Sequence, residues 1–267
     1  MNPFSPQPAP SPIRAGDTIL FLGDHTGAGE PGYVQVVSSV VERFHPGLRL
    51  TLVSAGRPGQ TASALHSSEV VEAVRSTRPD WLVVGVGLAD AFSEPEAHRL
   101  IDDYRRWLDS IEEADETTIG PEHGAPPEES GPRYDGARSQ LQAPPPHSNL
   151  KLERLEGFTL ALETLVLEMQ EAGVRCVLMT TIIVANDPHH PMNAILKEYN
   201  RAIRTLAAGH GVPVVDVEQA FAAVYERAAN YKQKVALTIP PATLNPQGEA
   251  LVARTFLDTM GLLPRRG

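Results

Sequence analysis

The residues of this chain whose types and spacing could do chemistry gather in a few short blocks. The first is Gly23-Asp24-His25-Thr26, which follows the apolar run Thr18–Leu22. There the His25 imidazole could serve as a nucleophile or general base, while Asp24 is better suited to bonding backbone amides in the turn. The second block, Ser54-Ala55-Gly56-Arg57-Pro58-Gly59-Gln60-Thr61, and the third, Gly87-Leu88-Ala89-Asp90, each follow another apolar run. The last, Leu244-Asn245-Pro246-Gln247-Gly248, comes just after Thr243. A further pair, His189 and His190, sits in a proline-bounded stretch. With His25 and Asp90 it could in principle form a metal site of mixed nitrogen and oxygen ligands. Adjacent histidines on an extended loop point to opposite sides, so no metal and no cofactor is assigned. Ser54 and Thr243 carry hydroxyls, but neither has a histidine–acid relay evident in sequence. The residues expected to line a ligand crevice are Asp24, His25, Thr26, Gly56, Arg57, Asp90, His189 and Thr243.

These blocks need elements to position them, and the hydrophobic pattern supplies such elements. From residue 17, short β-branched runs alternate with amphipathic helical stretches, the pattern of a parallel sheet covered on both faces. Strands are expected at 18–22, 48–53, 81–86, 174–183 and 212–217, the last near an edge because of Pro213. Helices are expected from Tyr33 to Phe44, at 63–75, 94–111 and 150–167, and at 192–208 and 247–260. This gives a three-layer α/β/α, flavodoxin-like domain over 17–267, with a five-stranded parallel sheet of order 2-1-3-4-5. Open sheets of this kind bind ligands at the carboxyl ends of their strands, where the first three blocks fall. Two segments lie outside this pattern. Residues 1–16 start with five prolines in twelve positions and read as an extended, disordered arm. Residues 112–150 combine Glu112, Glu113, Asp115, Glu116, Glu122, Glu128 and Glu129 with Pro144-Pro145-Pro146, and read as a disordered surface insertion.

In order and position, the four blocks resemble those of the SGNH, or GDSL, hydrolase family. That resemblance implies an ester and acyl hydrolase fold, with a serine after the first strand and an oxyanion glycine after the second. It further implies an oxyanion asparagine after the third strand and an Asp-x-x-His pair before the last helix. Aligned on the blocks, the serine position holds His25, the asparagine position Ala89, the aspartate position Pro240 and the histidine position Thr243. Gly56 keeps the oxyanion glycine. Glu198-Tyr199-Asn200 and Val215-Asp216 also resemble the family. Four ordered blocks identify the fold, and the same four argue against serine-type chemistry.

Composition narrows the partners. A net charge of −10 argues against nucleic acid and against an anionic membrane surface. The lone Cys176 lies in an apolar run, and the chain carries no apolar stretch of membrane-spanning length, which points to the cytoplasm. The expected function is therefore a pseudoenzyme with a crevice for a small acyl or sugar-like ligand. Two alternatives remain open: a hydrolase of ester, acyl or phosphoester bonds using His25 or a bound metal, and a module that docks a protein partner through 112–150.

Overall fold

In a computed structural model, residues 12–24, 32–116, 150–239 and 242–263 are described. The chain runs β1 (Thr18–Gly23), α1 (Tyr33–Phe44), β2 (Thr51–Ser54), α2 (Ser68–Thr77) and β3 (Trp81–Gly85). It continues through α3 (Leu88–Phe92), α4 (Pro95–Glu116), α5 (Leu155–Glu171), β4 (Arg175–Met179) and α6 (Pro191–His210). It ends with β5 (Val214–Val215), α7 (Val217–Asn230), β6 (Thr238–Ile239), β7 (Thr243–Leu244) and α8 (Pro246–Thr259). The first five strands form one sheet in the order β2-β1-β3-β4-β5, and every pairing in it is parallel. The order expected from sequence is therefore the order observed.

The central strands are buried on both faces because they carry almost nothing but apolar side chains. Phe21 packs edge-on to Tyr33 of α1 at 5.9 Å and against Phe256 of α8 at 5.3 Å. Those two contacts set α1 and α8 side by side on one face of the sheet. On the other face, Phe158 of α5 meets Tyr199 of α6 at 4.8 Å. Glu94, fully buried between α3 and α4, accepts hydrogen bonds from the Glu153 and Arg154 amides and, at 2.6 Å, from the Tyr199 hydroxyl. One carboxylate thus anchors the residues that lead into α5 and ties them to α6.

Several boundaries differ from expectation for local reasons. The second strand starts at Thr51 rather than 48, because Pro46–Leu48 closes a 3-10 turn and Arg49 follows in the left-handed region. The second helix is divided: a 3-10 turn covers Ser63–His66, and α2 starts afresh behind the Ser67 cap. The fourth strand stops at Met179. The fifth is reduced to Val214–Val215, because Pro213 lacks an amide hydrogen and Asp216 already caps α7. Helix α7 and the β6–β7 hairpin were not expected.

Parts of the two segments set apart in the sequence are described. Helix α4 continues to Glu116, into the stretch read as the insertion, and 117–149 lie outside the described residues. Residues 12–16 do not behave as a free arm: Ile13 is buried, and the Gly16 amide donates to the Leu48 carbonyl at 2.7 Å. Residues 1–11 lie outside the described residues. Among the described residues, no helix is long and apolar enough to cross a membrane.

Candidate functional site at the carboxyl edge of the sheet

β1 and β3 end on Gly23 and Gly85, which face each other in register. A Cβ on Gly23 would stand 2.7 Å from the Gly85 carbonyl oxygen, so no larger residue fits there. The next residue, Asp24, donates its amide to that same carbonyl at 3.1 Å. Its carboxylate is buried and accepts from the amides of Leu88 at 3.0 Å and Ala89 at 3.3 Å. Asp24 thus bonds backbone amides, but those of the third block rather than of its own turn, and holds that block against the first. Gly87 makes the entry into α3 with φ of +119°, hard against Thr181 and the Phe158 ring.

The second block joins the same edge through its backbone. The Ala55 amide donates to the Phe21 carbonyl at 2.9 Å, and the Arg57 amide to the Gly23 carbonyl at 2.8 Å. Gly56, between them, is thereby placed beside the end of β1. The Arg57 guanidinium is paired with Glu69. Asp90, buried in the first turn of α3, reaches back to the end of the second block. Both of its carboxylate oxygens take the Ala62 amide, at 3.2 and 3.1 Å. Burial pushes its pKa up to about 6, against the pull of that amide. Asp90 thus ties the third block to the second.

The last block is held by a residue that sequence reasoning passed over. Ala185 and Asn186 both adopt left-handed backbone, φ 60° and 55°, and turn the Asn186 side chain towards β6. Asn186 Oδ1 accepts from the Leu237 amide at 2.8 Å, the Thr238 amide at 2.8 Å and the Thr238 hydroxyl at 2.9 Å. The Tyr225 hydroxyl reaches it at 3.1 Å, and Asn186 Nδ2 donates to the Thr238 carbonyl at 2.7 Å. β6 pairs with β7, which carries Thr243 exposed on its surface. Asn245 then caps α8, accepting from the Gln247 and Gly248 amides. Gly248 has no alternative, since a Cβ there would lie 2.1 Å from the Leu237 carbonyl.

Glu249, the next residue, closes the ring of blocks. It is buried, and its Oε2 accepts from the Tyr33 amide, the first of α1, at 2.6 Å. Burial pushes its pKa up to about 7, with the Tyr33 amide opposing the shift. Its carboxylate and the Asp24 carboxylate both add to the burial that holds the Tyr33 hydroxyl well above its usual range.

The two histidines after β4 separate as geometry demands. His189 is exposed. His190 is half-buried against the Tyr104 ring at 5.2 Å, and its Nδ1 accepts from the Met192 amide at 3.3 Å. Burial lowers the His190 pKa, while Asp187 acts in the opposite sense. Among the described residues, no three His, Cys, Asp or Glu side chains are placed to share a metal ion. His25, Thr26 and Pro240 lie outside the described residues. Of the remaining candidates, the structure brings Asp24, Gly56, Arg57, Ala89 and Asp90 together directly. Thr243 is linked to the His189 loop through Asn186. The parts that sequence reasoning misses, Asn186 and Glu249, carry one signal each: an asparagine just before Asp-Pro, and an acid just after the glycine of the last block.

A parallel sheet of order 2-1-3-4-5, with the loops that carry the sequence blocks at its carboxyl edge, defines a flavodoxin-like α/β fold. The GDSL-like lipase/acylhydrolase family model matches residues 16–236, and the chain belongs to that family. An acetylxylan esterase from Geobacillus stearothermophilus is 22% identical over 270 residues, which cover 93% of this chain and 96% of that one. A crystal structure of an acetylxylan esterase from that organism superposes with a TM-score of 0.62 at 21% identity, covering 93% and 96% of the two chains. An α/β hydrolase from the metagenome of Lake Arreo, Spain, gives a TM-score of 0.62 at 19% identity, covering 94% and 98%. These structural likenesses establish the fold. Solved catalytic mutants of the Geobacillus esterase alter a serine, an aspartate and a histidine.

Proposed function

We propose that this chain uses its carboxyl-edge crevice to bind a small acylated or sugar-like ligand and does not turn it over by serine-type hydrolysis. The observation that carries this reading is the use made of the carboxylates at the edge. Asp24 spends its carboxylate on the Leu88 and Ala89 amides, and Asp90 spends its own on the Ala62 amide. Neither is free to orient a base, and Thr243, at the position that resembles the family's histidine, offers only an exposed hydroxyl. Ala89 likewise brings a methyl group where the family pattern has an amide side chain. The frame around these positions is intact, which supports retained binding. The acetylxylan esterase relatives supply the ligand class to try first, an acetylated xylo-oligosaccharide.

The reading places the chain in the cytoplasm, supported by its single, buried Cys176, whose thiol burial pushes up to about 12. Titration calorimetry with acetylated xylo-oligosaccharides, run beside an assay for released acetate, tests the proposal. Saturable binding without acetate release is the expected result. Acetate release that disappears in His25→Ala would replace this reading with an enzyme of altered chemistry.

A further inference from the structure

Helix α5 carries more apolar surface than the core covers. Phe158, Leu162, Leu165 and Val166 are buried, yet on the opposite side Leu160 is 63% exposed and Leu167 44%. A helix that buries one face normally turns polar residues to water on the other. The two leucines stand two turns apart, on one outward stripe. Thr164 lies between them, and its hydroxyl is spent within the helix, donating to the Leu160 carbonyl at 2.8 Å. The result is an apolar ridge.

A groove runs beside that ridge. α5 and α6 enclose a cavity of about 410 Å³, lined on its apolar side by Leu155, Ala202 and Leu206. Gly209 leaves one end open, since a Cβ there would meet nothing within 4 Å. Thr159 and Glu163 form the near wall, each one position before a residue of the ridge. Ridge and groove are therefore neighbours on one face. Charge points the same way. The last turn of α5 holds Glu171 and no basic residue, although a helix C-terminus favours a cation. Arg201 stands at the other end of the groove, 66% exposed and paired with Glu198 at 2.8 Å. An exposed pair of that kind exchanges partners at little cost.

We propose that this face joins two copies of the chain about a two-fold axis, with Leu160 and Leu167 of each copy seated in the α5–α6 groove of the other. A ridge beside a groove is self-complementary under such an axis, because each copy supplies both halves of the contact. The two α5 helices then run antiparallel, which brings Glu171 to Arg201 of the partner subunit. A second copy is the occupant because knob, hole and both charges lie on the same surface.

Sedimentation velocity of the full-length protein, over a concentration series reaching about 100 μM, is the test. Three variants accompany it: Leu160→Lys with Leu167→Lys, Arg201→Glu, and Arg201→Glu with Glu171→Arg. All the altered side chains are exposed, and circular dichroism confirms folding. The expected result is a dimer whose Kd rises about tenfold or more in the leucine pair. Arg201→Glu should weaken it several-fold, and adding Glu171→Arg should recover most of that loss. A parent that stays monomeric throughout overturns the proposal, whether the face is open or covered by residues 117–149. A dimer that the leucine pair leaves unchanged also overturns it, and a charge reversal without recovery overturns the antiparallel pairing.

Discussion

At the amino edge of the sheet, the buried Asp17 carboxylate accepts from the Trp81 indole at 2.8 Å, the Arg175 guanidinium at 3.0 Å and the Arg14 amide at 2.9 Å. Arg175 also lies over the Trp81 ring, 4.1 Å from its centre. At the carboxyl edge, the buried carboxylates of Asp24, Asp90 and Glu249 are met by backbone amides. Burial opposes ionisation of Asp17, but its amide, indole and guanidinium partners together hold its pKa below the usual 3.8. Burial wins at the other edge and raises Asp90 to about 6 and Glu249 to about 7. A charge paired with a cation serves stability. Carboxylates met by backbone amides fix the loops in place, and for Asp90 and Glu249 burial makes the charged form costly.

The contrast can be broken from either side. Asp17→Ala should have the largest effect, on the order of 3–4 kcal/mol in chemical denaturation, because it strands both Arg175 and the Trp81 indole. Asp24→Ala follows, at about 3 kcal/mol, since it orphans the Leu88 and Ala89 amides. Unlike Asp17→Ala, it should also abolish ligand binding by releasing the third block. A loss of binding in Asp17→Ala at a temperature where the protein stays folded would erase the distinction between the edges.

The pH dependence sharpens the comparison, and its sign differs between the edges. Glu249 titrates near 7 in the folded protein against an ordinary 4.5, so its uncharged form is favoured by folding. The stability this provides is complete below pH 4.5 and is lost as pH rises through 7. Asp90 behaves alike between 3.8 and about 6. Asp17 is the reverse: its contribution is present above pH 3.8 and is lost as pH falls below that. Glu249→Gln should therefore stabilise the protein at pH 8 by on the order of 1–2 kcal/mol, raising Tm by a few degrees. That gain should shrink to nothing near pH 4.5. A gain independent of pH would mean that burial of the Glu249 charge is not its source.

Sequence reasoning reached the sheet because its order depends on signals local to each strand, such as Thr18–Leu22 and Trp81–Val86. For Asp24 it reaches the kind of partner, backbone amides, but not their place in the third block, 64 and 65 residues away. Helix α7 escapes the sequence pattern although Val217, Phe221 and Tyr225 fall at helical spacing, because Asp216 continues an apolar run as if in a strand and is in fact the helix cap. Asn186 and Glu249 were not legible. Their partners lie 51 and 216 residues away, and no local pattern records such bonds.

The central claim, that this family frame no longer supports serine-type hydrolysis, is tested most directly by acetate release from an acetylated xylo-oligosaccharide. Three proteins are compared: the parent, His25→Ser alone, and His25→Ser combined with Ala89→Asn, Pro240→Asp and Thr243→His. The account predicts no release above background from the first two, with any activity confined to the combined variant. Release by the parent that is lost in His25→Ala, or strong release by His25→Ser alone, would contradict it.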